Sequence, residues 1–252
     1  MLIDTHCHIH ESYELPLNEV FERAVEAEVL EYICVGTSEL SSKQAIEFAD
    51  NTPAAYAAIG VHPHDTKDGH DEIAKLAGTS SKIVAVGEVG LDYFYTHSDR
   101  ETQLQALEAQ IQVAQEYNLP IIFHVREAFD DFWPIFDKYP AIRGELHSFT
   151  DSADNLAKAL ARGLYIGVNG ISTFTKDETQ KDTFDSIPLN RLLLETDAPF
   201  LTPAPLRGKV NEPAYVKLVA QYHADRRGIS LEEISDATTA NARTLFQLTT
   251  LS

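Results

Sequence analysis

Short apolar runs alternate along this chain with longer stretches whose apolar residues recur at helical spacing. The runs fall at 2–5, 32–35, 56–60, 83–87, 120–125, 144–149, 164–168 and 192–195, bounded by Gly, Pro, Asp or Asn. Several are too continuous for strands exposed on one face, and they predict buried parallel strands. Between them, residues 16–29 place Leu17, Val20, Phe21, Ala24 and Val25 on one side, and residues 101–117 do the same with Leu104, Leu107, Ile111 and Ala114. Both patterns predict amphipathic helices, the second capped by Asp99. Residues 214–226 and 231–248 predict two more. Gly228 separates them, and Ser230 with Glu233 marks the start of the last.

The strand starts lie roughly 20 to 37 residues apart, the size of a βαβ step. Eight such steps in 252 residues fit a (β/α)8 TIM barrel, read as a single domain over 1–252. A doubly wound open sheet is the rival. Its dinucleotide-binding form needs a Gly-rich turn after the first strand, whereas here that strand runs into His6-Cys7-His8. No repeat, low-complexity tract or linker interrupts the pattern. The irregular stretch 197–211, rich in Pro and Gly, reads as an active-site loop.

A hydrophobic content of 44% argues against a disordered or fibrous chain. With 39 acidic and 20 basic residues the formal net charge is −19, which discourages loose binding to nucleic acid or anionic membrane. It leaves room for a local, metal-assisted phosphate site. Two cysteines, Cys7 and Cys34, make no disulfide framework and suit a reducing compartment. No run of about 18 apolar residues predicts a membrane span, and the first residues lack the pattern of a secretory signal. The expectation is a cytoplasmic protein with no membrane association and no obligate protein partner.

The chemistry-bearing residues share one position, the C-terminal end of a predicted strand. Strand one ends in His6 and His8, strand three in His62 and His64, and strand four in Glu88. Strand five ends in His124 and Arg126, strand six carries His147, and strand eight ends in Glu195-Thr196-Asp197. In a barrel these ends converge on the catalytic face. Any one histidine could be a hydrogen-bonded structural residue, and Asp197 could simply cap its loop. Two imidazoles side by side and a carboxylate in an apolar run are costlier to place without a reason. Together they suggest a metal centre. Imidazole and carboxylate without thiolate suit zinc, manganese, iron, cobalt or nickel, with magnesium at carboxylate-rich positions. Alternation turns Cys7 into packing. Six candidate ligands exceed the three or four of one catalytic zinc, and two divalent ions bridged by Glu88 would use them all. Arg126 has the planar fork that suits a phosphate oxygen, and Arg207 and Lys209 on the last loop are further candidate substrate contacts. Tyr93, Phe94, Tyr95 and His97 could stack on a base or merely cover the rim. P-loop, Gly-x-Ser-x-Gly and His-Glu-x-x-His patterns are absent, as is any recognisable helix-turn-helix.

The order of Asp4-x-His6-x-His8, Gly60-Val61-His62-Pro63, Gly87-Glu88-Val89-Gly90-Leu91-Asp92, Phe123-His124-Val125-Arg126, His147-Ser148-Phe149, Glu195-Thr196-Asp197-Ala198-Pro199 and Arg207-Gly208-Lys209-x-Asn211 resembles the TatD family of metal-dependent deoxyribonucleases. The likeness covers residues 1 to about 248. It implies a TIM barrel of the amidohydrolase-like superfamily holding two divalent cations (Mg, Mn or Zn). By that resemblance His6 and His8 would bind one ion, His124 and His147 the other, and Glu88 would bridge them. Asp197 would bind the first ion and orient or deprotonate the nucleophilic water, while Arg126 and His62 would contact substrate. The implied activity is 3′–5′ exodeoxyribonuclease action on DNA 3′ ends, single-stranded or frayed. The alternative is hydrolysis of a small phosphorylated or amide or ester substrate, including an aminoacyl-tRNA ester. His64, Val125 and Glu127 depart from the family's common residues, which bears on substrate preference and leaves the metal scheme intact.

Overall fold

The computed structural model describes residues 1–248; residues 249–252, the tail of the expected domain, lie outside the described residues. Eight strands form one sheet in chain order: β1 (Leu2–Cys7), β2 (Val29–Val35), β3 (Ala55–Ile59), β4 (Ile83–Asp92), β5 (Ile121–Arg126), β6 (Gly144–Leu146), β7 (Tyr165–Val168) and β8 (Leu192–Leu194). Helices alternate with them, so the architecture is a (β/α)8 barrel, as the spacing predicts. Among the described residues no helix is long and apolar enough to cross a membrane. Contacts group the chain into two compact units: Met1–Ile33 with the chain from Ser148 onward, and Cys34–His147.

In the first unit the helix expected over 16–29 spans Leu17–Glu26. It stops because Glu28 adopts a left-handed φ of 63°, and the Glu28 carbonyl accepts the Leu2 N–H at 2.8 Å. Val29 therefore opens β2, three residues before the predicted start. Two buried carboxylates are paid for by arginines: Glu212 takes Arg23 Nε at 2.8 Å and Nη2 at 2.6 Å, and Glu31 takes Arg243. Without such partners a buried carboxylate is costly. Helix Val216–Arg227 ends at Gly228 with φ 66°. Ser230 Oγ then accepts the Glu233 N–H and starts helix Leu231–Phe246. β7 and β8 pair in parallel, Gly167 opposite Leu193. A Cβ at Gly167 would lie 2.4 Å from Glu195 Oε2, so that position has room only for hydrogen.

In the second unit Asp99 caps helix Arg100–Glu116, its carboxylate accepting both the Thr102 N–H and its hydroxyl. β4 runs five residues past its expected end, because pairing with β5 continues from Val89↔Phe123 to Asp92↔Arg126. The close approach depends on Gly90: a Cβ there would meet the His124 carbonyl oxygen at 1.7 Å. β6 is shorter than its apolar run, ending at Leu146. Below β5, Phe123 packs edge to face on Phe132 and Phe136 at 5.0 and 5.8 Å between centroids, and the three rings anchor the strand that carries His124 and Arg126.

Candidate metal centre

Each unit gathers its own cluster of imidazoles and carboxylates. In the first, His6 and His8 flank the end of β1, where alternation puts both on one side, and their Nε2 atoms lie 3.2 Å apart. Asp197 Oδ1 stands 3.3 Å from His8 Nε2 and 3.8 Å from His6 Nε2. Asp197 reaches this place from a left-handed backbone, φ 59°, which an aspartate tolerates better than most residues. Its N–H donates to the His6 carbonyl at 2.8 Å, and its carbonyl accepts from Phe200. Thr196 donates its N–H and hydroxyl to the buried Asp4 carboxylate at 2.8 and 2.6 Å, which clamps the end of β8 to β1. Burial pushes Asp4 up to about 8, against the pull of those Thr196 donors. Cys7 points away into the core, its thiol on the Ile33 carbonyl.

In the second unit Glu88 Oε1 is the centre: His124 Nδ1 lies 2.8 Å away, His62 Nε2 3.5 Å and His147 Nε2 3.8 Å. The other nitrogen of His124, Nε2, is 3.0 Å from Asp92 Oδ2, which also meets His64 Nε2 at 3.1 Å. Asp92 Oδ1 accepts the N–H groups of Phe94 and Tyr95, and Gln103 Oε1 takes the Asp92 N–H. Burial raises the Asp92 carboxyl, but His124 and the Tyr95 N–H outweigh it and hold it well below the usual range. Burial likewise lowers His124, yet the carboxylates of Asp92 and Glu88 prevail and hold it above its ordinary value. His62 is driven well below, by burial first and then by repulsion from His124.

These contacts decide which nitrogens can ligate. A carboxylate only accepts, and both His124 nitrogens face one, Nε2 at Asp92 and Nδ1 at Glu88, so the protonated ring donates to both. A lone pair 2.8 Å from a carboxylate oxygen repels it unless a cation lies between, and the raised pKa is that demand met by a proton. A divalent ion at Nδ1 would meet the same demand, with Asp92 holding the imidazole's far N–H. His62 differs. Its Nδ1 accepts the His64 N–H at 3.1 Å, so a neutral His62 carries its proton on Nε2 and is a donor. Although His62, Glu88 and His124 are close enough to share an ion, this tautomer favours the expected substrate role for His62. His6, His8 and Asp197 also place one ligand atom each within reach of a common ion, and their donor set is the hard and borderline one that suits zinc, manganese or magnesium.

Arg126 is exposed, with its guanidinium 3.9 Å from the Phe94 ring centroid. Arg207 lies over Phe174 at 3.7 Å and donates Nη1 to the Thr202 carbonyl. Its loop also holds Lys209, whose carbonyl accepts the Thr202 hydroxyl. Asp92 stands in the Gly87–Asp92 motif but is not among the residues expected at the site. Its signal was position: Glu88 and Asp92 are four apart on a strand and so share a face.

A family model described as TatD related DNase matches residues 3–247. The chain is 40% identical to the uncharacterized metal-dependent hydrolase YabD of Bacillus subtilis, over 98% of this chain and 100% of that one. It is 37% identical to the 3′-5′ ssDNA/RNA exonuclease TatD of Erwinia tasmaniensis, over 92% and 93%. The crystal structure of YjjV, a TatD homologue from Escherichia coli K12, superposes with a TM-score of 0.90 at 29% identity, covering 98% of each chain.

Proposed function

The chain belongs to the TatD-related DNase family of metal-dependent hydrolases, and from that membership we propose that it is a 3′–5′ exonuclease using two divalent cations. The observation that carries the reading is the pairing of imidazoles with a carboxylate twice over: His6 and His8 with Asp197, and His124 and His147 with Glu88. When bound, such ions polarise a phosphoryl oxygen and acidify water. Asp197 accepts the proton of the attacking water. His124 would hold an ion through Nδ1, with Nε2 facing Asp92, and Glu88 would be the carboxylate of that group. Arg126 binds a non-bridging phosphate oxygen through its fork. His62, neutral with its proton on Nε2, donates to the substrate. Arg207 and Lys209 also contact the strand.

A chain of net charge −19 gains little from counterion release along a duplex. An exonuclease needs only the few phosphates at a chain end, so the substrate is a single-stranded or frayed 3′ end of DNA. In this reading the whole chain acts as one cytoplasmic catalytic domain. The test is metal analysis of the purified protein, followed by hydrolysis of 5′-labelled single-stranded DNA with Mg, Mn or Zn. Two ions per chain and a ladder shortening from the 3′ end are expected. Hydrolysis confined to small phosphorylated, ester or amide substrates would overturn the nuclease assignment.

A further inference from the structure

We infer that Phe94 and Tyr95 form a stacking subsite for a nucleobase of the single strand whose phosphate Arg126 holds; this rests on the nuclease reading above. The two rings stand at consecutive positions on the turn after β4, 49% and 43% exposed. Packing therefore does not account for them, since each leaves a large apolar face in water. Nor is the turn loose. Asp92 Oδ1 accepts both of their N–H groups at 3.0 Å, so the carboxylate that turns His124 also sets the backbone of the aromatic pair. Tyr95 lies nearly parallel to His97, centroids 5.6 Å apart with 21° between planes, and meets His64 edge-on at 5.4 Å. Phe94 stands edge-on to Tyr95 at 4.7 Å. The rings are thus braced on one another while keeping exposed surface.

Charge points to the occupant. Arg126 sits over Phe94 at 3.9 Å and 5.1 Å from Tyr95. Arg23, Arg100, Arg226 and Arg243 each pair with a carboxylate. Among the described residues Arg126 has no such partner, in a chain with 39 acidic residues. Its packing against the rings holds the guanidinium by its face and leaves N–H donors for an anion. An anion beside an exposed aromatic surface is what one nucleotide supplies, with its phosphate on Arg126 and its base on Phe94 and Tyr95. Every base has a π face, so the subsite is tolerant of sequence. Bases already stacked in a duplex are not available to it, which selects single strands.

The test is binding of a labelled, phosphorothioate-linked oligothymidylate, which resists hydrolysis, against an abasic chain of the same linkage and length. Fluorescence anisotropy is measured with the wild-type protein, Phe94→Ala, Tyr95→Ala and Phe94→Tyr. Wild type is expected to prefer the chain with bases by about 5- to 150-fold, the range that base–aromatic stacking supplies. Phe94→Ala and Tyr95→Ala should each erase most of that preference, and Phe94→Tyr should keep it. Equal affinity of wild type for the two chains, or an undiminished preference in both alanine variants, would overturn the subsite. Shortening of ordinary end-labelled DNA by the metal-loaded wild type reports separately on the nuclease reading. Cleavage with no base preference sinks the subsite alone, and absence of both binding and cleavage sinks both.

Discussion

Asp92 Oδ2 lies 3.0 Å from Nε2 of His124, and Nδ1 of the same ring faces Glu88 Oε1 at 2.8 Å. The orientation of a candidate ligand is thus set by a carboxylate whose role the sequence alone does not show. Asp92→Ala is expected to weaken binding of one divalent ion by about 10- to 100-fold, the usual cost of losing the partner of a ligating histidine. Competition with a chelator on the purified variant measures it. Asp92→Asn, whose amide oxygen can still accept, should lose less. Unchanged affinity in Asp92→Ala would mean that His124 needs no such brace.

Glu88 faces three imidazoles at once, His124, His62 and His147. Its removal leaves that group with no carboxylate from its centre, whereas removal of one histidine leaves Glu88 and two rings. Glu88→Ala should therefore lower both metal content and hydrolysis more than His147→Ala does. A Glu88→Ala protein with full metal content and near-full hydrolysis would count against this ranking.

Asp197 is expected to matter mainly to the chemical step. Asp197→Asn preserves shape and suits the same left-handed backbone, so the fold should hold. With metal saturating, kcat should fall by roughly 10²–10⁴, the range for a lost general base, while KM changes little. A rise in KM with kcat unmoved would make Asp197 a positioning residue.

Arg126→Ala should cost about 1.5–3 kcal/mol of charge-assisted hydrogen bonding, or about 10- to 150-fold in kcat/KM on a short oligonucleotide. Arg126→Lys should recover part, since it keeps the charge and loses the fork. Because Arg126 is exposed and makes no ion pair among the described residues, neither variant should shift Tm. A lowered Tm, with equal losses on charged and uncharged substrates, would mark the arginine as structural.

His223 gives a stability prediction that does not depend on the metal cluster. It is buried, and Nε2 donates to the Ser172 hydroxyl at 2.9 Å, which itself donates to the Asn169 carbonyl. Burial, and then Arg227, push its pKa down to about 3 from an ordinary 6.5. Above pH 6.5 neither the folded nor the unfolded chain protonates it, and it adds no pH dependence. Below 6.5 the unfolded chain binds the proton and the folded one does not, so stability falls by about 1.4 kcal/mol per pH unit until pH reaches about 3. His223→Leu should lose stability at neutral pH yet show a shallower decline between pH 6.5 and 4.5. Equal slopes for variant and wild type in urea melts would show that His223 is not the acid-sensitive group.

The strand pattern was readable because parallel strands buried on both faces leave continuous apolar runs. Their ends were less so. By spacing the stretch 16–29 reads as one helix up to Val29, and only the left-handed turn at Glu28 shows where the helix ends and β2 begins. His6 and His8, like His62 and His64, stand out by their two-residue spacing, and Glu88, His124, His147 and Asp197 by their places at predicted strand ends; Asp92, which the second cluster also holds, does not. Which nitrogen each ring presents is not legible either, since it depends on Asp92 reaching His124 across 32 positions of sequence. The same holds for Arg126: a sequence rich in acids suggests an ion pair, and only coordinates show an aromatic ring beneath it instead.

Gly167 and Glu195 have an evolutionary consequence. The carboxylate occupies the space that a methyl group at 167 would need, while Ser148 N–H and Asn169 Nδ2 hold its other oxygen at 2.8 and 3.2 Å. Neither position can drift alone: alanine at 167 must displace an anchored acid, and a shorter side chain at 195 strands two donors. The pair is an epistatic lock, passable only by coordinated change. A library that randomises both positions should yield folded clones with Gly167→Ala only where residue 195 has shortened as well.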